Sequence, residues 1–175
     1  MNRKVTGDNR RRKLIFIRHG KAEEQVPEIS DFERSLTAKG KQQSRLMAGI
    51  LKSREQQLGA VISSPAFRAL ETALIFCSEF DLGPDKIELC PDLYSGLDHE
   101  DFIPFIHRQN DDNQTITLFG HNPLITRMAS FFAADEPEVL PKTGIFCVSF
   151  DVPRWSDIEP ESGTTEYFLI PKFLL

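Results

Sequence analysis

The chain has 175 residues, enough for one domain with a sizeable core, and at 40% hydrophobic and 27% charged it has the balance of an ordinary globular protein. A formal net charge of −5 argues against nucleic-acid binding, which calls for a basic face. The cysteines Cys77, Cys90 and Cys147 are odd in number and form no Cys-x-x-Cys pair, so neither a disulfide framework nor a zinc site is expected, and apolar neighbours make core packing the reading for Cys77 and Cys147.

Along the chain, residues 1–12 read as a flexible tail. The run Arg10-Arg11-Arg12-Lys13 reads as a solvated lead-in to the first strand. No apolar leader opens the sequence and no apolar run reaches the ~18 residues of a membrane span, so a cytoplasmic protein without membrane attachment is expected, a monomer by default. Leu14 to Ile17 form a continuous apolar run that suits a strand buried on both faces. Residues 24–35 are polar and irregular and predict a loop. Thr37 can cap a helix over about 37–54, in which Leu46, Met47, Ile50 and Leu51 recur at helical spacing. Ala60 to Ile62 predict a strand, and a helix follows over about 65–80 with Leu70, Ala73, Leu74 and Cys77 on one side. Further strands are expected over 86–90 and 115–119, with helices over 99–108 and 123–132. Gly144 to Phe150 and Glu166 to Ile170 read as two late strands joined by a long turn containing Trp155. Strands alternating with helices indicate a single α/β domain over 13–175, its central sheet mainly parallel and flanked by helices.

Three strand ends repeat one local design. The first ends in Arg18-His19-Gly20. The second ends in Ser63-Ser64-Pro65, with Arg68 close behind, and the third in Gly120-His121-Asn122-Pro123. Ser64-Pro65 and Asn122-Pro123 each read as an N-cap followed by a proline in the first helical position. Open α/β sheets bind ligands outside the carboxyl ends of their strands, and helix N-termini there favour anions. Arg18, Arg68, His19 and His121 are thus expected to gather at one rim as a phosphate pocket, since arginine forks bond two phosphate oxygens at once.

These motifs, with Leu36-Thr37-Ala38-Lys39-Gly40 and the continuation Ala66-Phe67-Arg68-Ala69-Leu70-Glu71-Thr72-Ala73, resemble the histidine phosphatase superfamily, which includes the phosphoglycerate mutases. The resemblance runs over roughly 13–170 and implies a phosphoglycerate mutase-like fold. It also implies a nucleophilic His19 that becomes phosphorylated, Arg18 and Arg68 clamping the phosphoryl oxygens, and His121 donating to them, with no metal or other cofactor. Asn122 is a candidate for phosphate contact, with helix capping the favoured role. His99 and His107 match no motif and read as surface residues. Many members of the superfamily carry a glutamate general acid where this chain reads Cys90 to Gly96; Asp92 and Asp98 are the nearby candidates, and the simpler reading is that a strong protein acid is absent. The stretch from Leu93 to Thr115 is too short for the helical lid of the mutases. Both features, with Leu93-Tyr94, Thr143 and Pro171, resemble the SixA-like phosphohistidine phosphatases. That branch implies a phosphorylated protein partner such as a histidine phosphotransfer domain. A phosphatase for a small phosphomonoester and a non-catalytic phosphate-binding module are the competing readings.

Overall fold

The computed structural model describes residues 11–135 and 139–171. Strand β1 (Arg12–Arg18) forms from the first apolar run, with Leu14 and Phe16 in one core and Ile15 and Ile17 in the other. That alternation, with both faces covered, explains why the run carries no polar residue between Leu14 and Ile17.

Helix α1 (Ala38–Lys52) begins where expected: the Thr37 hydroxyl accepts the Gly40 N–H at 2.9 Å, and Met47, Ala48 and Leu51 are buried. Then come β2 (Ala60–Ser63), α2 (Phe67–Glu79), β3 (Ile87–Leu89), the short α3 (Asp92–Ser95) and α4 (Phe102–His107). The chain closes with β4 (Thr115–Gly120), α5 (Leu124–Phe132), β5 (Ile145–Phe150) and β6 (Thr164–Leu169). The strands form one sheet in the order β3-β2-β4-β1-β5-β6. Strands β1 to β4 pair in parallel, while β5 runs antiparallel to both β1 and β6. Helices α1 and α2 cover one face; α4 and α5, with Leu93 and Trp155, cover the other. No helix among the described residues is long and apolar enough to cross a membrane.

The register sets the functional end of the sheet. Arg18 pairs with Gly120 and Ser63 with Phe119, so β1, β4 and β2 end at one level. The His19 N–H donates to the Gly120 carbonyl at 3.0 Å and the Ser64 N–H to that of Phe119 at 2.9 Å, carrying the pairing into the loops.

The solvated lead-in is corrected at Arg12; residues 1–10 of the expected tail lie outside the described residues. Arg12 belongs to β1 and is 1% exposed. Its guanidinium donates to the carbonyls of Asp111, Asn113 and Pro153 and stacks over Trp155, 5.6 Å from the ring centroid. The charge is tolerated because carbonyl oxygens and an aromatic face replace water. His107 is corrected too. It is half-buried on α4, with Nε2 2.9 Å from the Ile158 carbonyl, while His99 is exposed as expected. All three cysteines are free and buried, and burial pushes the thiols of Cys77 and Cys147 up to about 11 and about 12.

Candidate active site

Arg18, His19, Arg68, His121 and Asn122 line one cleft of about 220 Å³, together with Ala22, Arg34 and Lys142. The strand ends thus bring together all the residues singled out for phosphate. His19 is 7% exposed, and its ring centroid lies 4.9 Å from that of His121. His19 Nδ1 lies 2.7 Å from the Gly20 carbonyl, which can only accept; the proton therefore sits on Nδ1 and leaves a lone pair on Nε2. Nε2 makes no hydrogen bond among the described residues. Burial pushes His19 down to about 3, aided by the charges of His121, Arg68 and Arg18 and opposed by the bond to Gly20. Burial and the charge of Arg68 likewise push His121 down to about 4. Both rings are neutral near pH 7.

Three nitrogens of these cleft residues are buried without a hydrogen-bond partner: Arg18 Nε, Arg68 Nε and His121 Nδ1. Arg12 Nε and Thr165 Oγ1, away from the cleft, are likewise unpaired, so what distinguishes the cleft is its gathering of Arg18, Arg34, Arg68 and Lys142 around His19 and His121, a cationic lining that suits an anion. The remaining edges are tied back. Arg18 Nη1 donates to the Leu140 carbonyl at 2.9 Å, and Arg68 Nη2 donates to Asp31 Oδ2 at 2.8 Å while Nη1 reaches the Asp31 carbonyl at 2.5 Å.

Asp31 is the participant that the sequence reading missed. It opens a short helical turn inside the expected loop and also pairs with Arg34 at 2.8 Å and accepts from the Tyr94 hydroxyl at 3.3 Å. Burial raises its carboxyl, but Arg68 and Arg34 outweigh that and hold it below the usual carboxylate range. The signal available was Ser30-x-x-Glu33, a capping box in which Glu33 Oε2 accepts from the Ser30 backbone N–H at 3.4 Å, and also from the Ser30 hydroxyl at 2.6 Å. Lys142 reaches the cleft on a turn closed by Thr143. That β-branched residue holds φ at 58°, and its N–H donates to the carbonyls of Arg18 and His19 at 3.1 and 3.2 Å. Such a backbone is costly and persists where its surroundings over-determine it.

The caps expected at two strand ends are corrected. Helix α2 starts at Phe67, so Pro65 precedes it, and the Ser64 hydroxyl sits 2.7 Å from His121 Nε2. Helix α5 starts at Leu124, and the Asn122 amide does not cap it. Asn122 Oδ1 accepts from the Thr126 hydroxyl at 2.7 Å, and Nδ2 donates to the Leu140 carbonyl at 3.0 Å. Neither Asp92 nor Asp98 lines the cleft: Asp92 faces a separate one with Asp101 and Arg108, and Asp98 is exposed before the turn at 99–101.

Comparison with known proteins gives a consistent set of likenesses. Residues 14–102 match the family model of the histidine phosphatase superfamily (branch 1). A protein of Picosynechococcus, itself uncharacterised, is 31% identical over 129 residues, which is 69% of this chain and 72% of its own length. The solved structure of the protein histidine phosphatase SixA with tungstate aligns at a TM-score of 0.78 and 24% identity, covering 93% of this chain and 99% of that one. A chain from Agrobacterium tumefaciens named as a phosphohistidine phosphatase SixA aligns at 0.76 and 21% identity, covering 91% and 98%. A mycobacterial glucosyl-3-phosphoglycerate phosphatase aligns at 0.59 and 16% identity, covering 86% and 96%. At these identities the solved structures establish the shared fold.

Proposed function

The chain belongs to the histidine phosphatase superfamily, branch 1, and we propose that it hydrolyses the phosphohistidine of another protein through a phosphoryl intermediate on His19. The observation that carries this reading is that Arg18, Arg68 and His121 line one cleft with His19, whose Nδ1 is engaged by the Gly20 carbonyl and whose Nε2 lone pair is left free.

In the first step His19 Nε2 attacks phosphorus in line. The new N–P bond forms as the substrate's P–N bond breaks, and the electron pair leaves on the substrate imidazole. An imidazole protonated at its other nitrogen departs neutral, so no protein acid is needed. In the second step water attacks phosphorus, the pair returns to Nε2, and phosphate departs with the proton passing to solvent. Arg18, Arg68 and His121 meet the charge on the transferring oxygens, and positioning with electrostatics supplies most of the catalysis.

The substrate class rests on size and acidity. Small-molecule pockets commonly span about 300–1,000 Å³, whereas this cleft, at about 220 Å³, is small and suits a phosphoryl group presented on a larger partner. An ester leaving group calls for a positioned acid. Asp92 and Asp98 stand elsewhere, and Asp31 is held ionised by two arginines. Those features disfavour a small phosphomonoester. The SixA neighbours, one named a phosphohistidine phosphatase and the other a protein histidine phosphatase, also align better than the sugar-phosphate phosphatase.

The test is phosphate release from a histidine-phosphorylated phosphotransfer domain, with p-nitrophenyl phosphate in parallel, for the wild type and His19→Ala in EDTA. Release from the phosphohistidine alone, lost in His19→Ala, is the expected result. Preferred turnover of the ester would replace this reading with a small-molecule phosphatase. Phosphate binding without His19-dependent turnover of either substrate would leave a binding module.

A further inference from the structure

Ser64 lies in the turn between β2 and α2 and is fully buried. Its N–H donates to the Phe119 carbonyl at 2.9 Å and its carbonyl accepts from the Ser63 hydroxyl at 2.9 Å, which fixes it against the end of β4. Two residues beyond Phe119, β4 delivers His121. The Ser64 hydroxyl oxygen has two partners among the described residues: the Ala66 N–H, which it accepts at 3.3 Å, and His121 Nε2 at 2.7 Å.

A hydroxyl has one hydrogen to give. If His121 Nε2 carried the ring proton, Ser64 Oγ would accept twice, and its own hydrogen would be stranded in a fully buried site. The ring would then carry a bare lone pair at Nδ1, with no hydrogen there to give. If Ser64 instead donates to Nε2, its oxygen still accepts from Ala66 and the ring proton moves to Nδ1. Nδ1 is the buried atom of His121 with no protein partner, on a residue that shares its cleft with Arg18 and Arg68. One arrangement strands a hydrogen; the other satisfies the serine and leaves the N–H of His121 at Nδ1.

We propose that Ser64 is a positioning residue that holds His121 in the Nδ1–H tautomer, so that this ring donates to the phosphoryl group. The donor role rests on the phosphatase reading above, whereas the tautomer is a property of the unligated protein. Ser64 thereby acts through His121, which sequence alone presents as an independent histidine.

Nitrogen-15 NMR of the imidazoles in the unligated wild type, with His121 assigned by loss of its signals in His121→Gln, reads the tautomer directly. Binding of inorganic phosphate to the same samples reads its consequence. The expected wild-type spectrum has a protonated Nδ1 and an unprotonated Nε2. Ser64→Ala shifts His121 toward Nε2–H and weakens phosphate binding ~10-fold, the order expected for one hydrogen bond to a charged group. Ser64→Thr, which keeps the hydroxyl, restores both. A wild-type His121 protonated at Nε2 overturns the proposal whether or not Ser64→Ala folds, as does a folded Ser64→Ala that changes neither readout. A wild type with Nδ1–H that binds no phosphate refutes the phosphoryl site itself, and with it the donor role.

Discussion

His19 and His121 are held neutral in a crowded, cationic cleft, and that has a consequence away from catalysis. In the fold they titrate near 3 and 4, against 6.5 for an unperturbed histidine. Between those values the unfolded chain binds more protons than the folded one, so stability falls as pH falls from about 6.5 toward 4 and is fully present above that window. The Tm of the wild type should therefore drop between pH 7 and pH 4.5 by more than that of a His19→Gln/His121→Gln variant; parallel curves would contradict the buried, neutral state. Arg68 makes a second case at this scale. With its Nη atoms engaged by Asp31 and Nε unpartnered, a planar guanidinium is required, and a lysine cannot serve both sides. Arg68→Lys should lower kcat on a phosphohistidine substrate by ~10²-fold, as for loss of one oxyanion donor. A change under threefold would remove Arg68 from the phosphoryl clamp.

Among the elements, α1 and the turn after β1 approach so closely that only glycine fits between them. A Cβ on Gly40 would stand 2.1 Å from the Lys21 carbonyl oxygen, a backbone atom that cannot move without shifting the Gly20-Lys21 turn. Gly40→Ala should cost about 1–3 kcal/mol, the range for overpacking, and lower kcat as well, because His19 stands next to that turn; urea unfolding and steady-state assay read the two effects. The same scale explains what was legible in the sequence. Arg18 ends a recognisable strand, His19, Arg68 and His121 come shortly after one, and the level register of β1, β4 and β2 does the rest. Asp31 was not legible as a site residue because no periodicity marks its segment and its partners Arg68 and Tyr94 come from distant elements, and Arg34 enters through its pair with Asp31. The caps were misread for a related reason: Ser64 and Asn122 have capping chemistry, but their side chains are taken by His121 and by Thr126 with the Leu140 carbonyl.

For the whole molecule, the sheet separates what holds the fold from what the cleft does. Arg12 begins β1 and His19 follows its end, roughly 20 Å away at about 3.3 Å per residue. Arg12 and Trp155 both donate to the Asn113 carbonyl, closing the sheet's far end over the 151–158 turn. Sequence pattern could not show this, since a basic run before a strand ordinarily stays in water. Arg12→Ala should cost about 2–5 kcal/mol, the range for truncating a large buried side chain, while leaving kcat within twofold. A large fall in kcat with stability intact would mean that the two ends are coupled.

The covalent step on His19 is the centre of the account. Rapid quench of the wild type with a phosphohistidine protein, followed by phosphorus-31 NMR and mapping of the labelled peptide, tests it most directly. The predicted result is a transient, acid-labile phosphoryl group on Nε2 of His19 that forms and decays fast enough to account for turnover. Turnover with no phosphoryl group on His19, or with one on another residue, would contradict it.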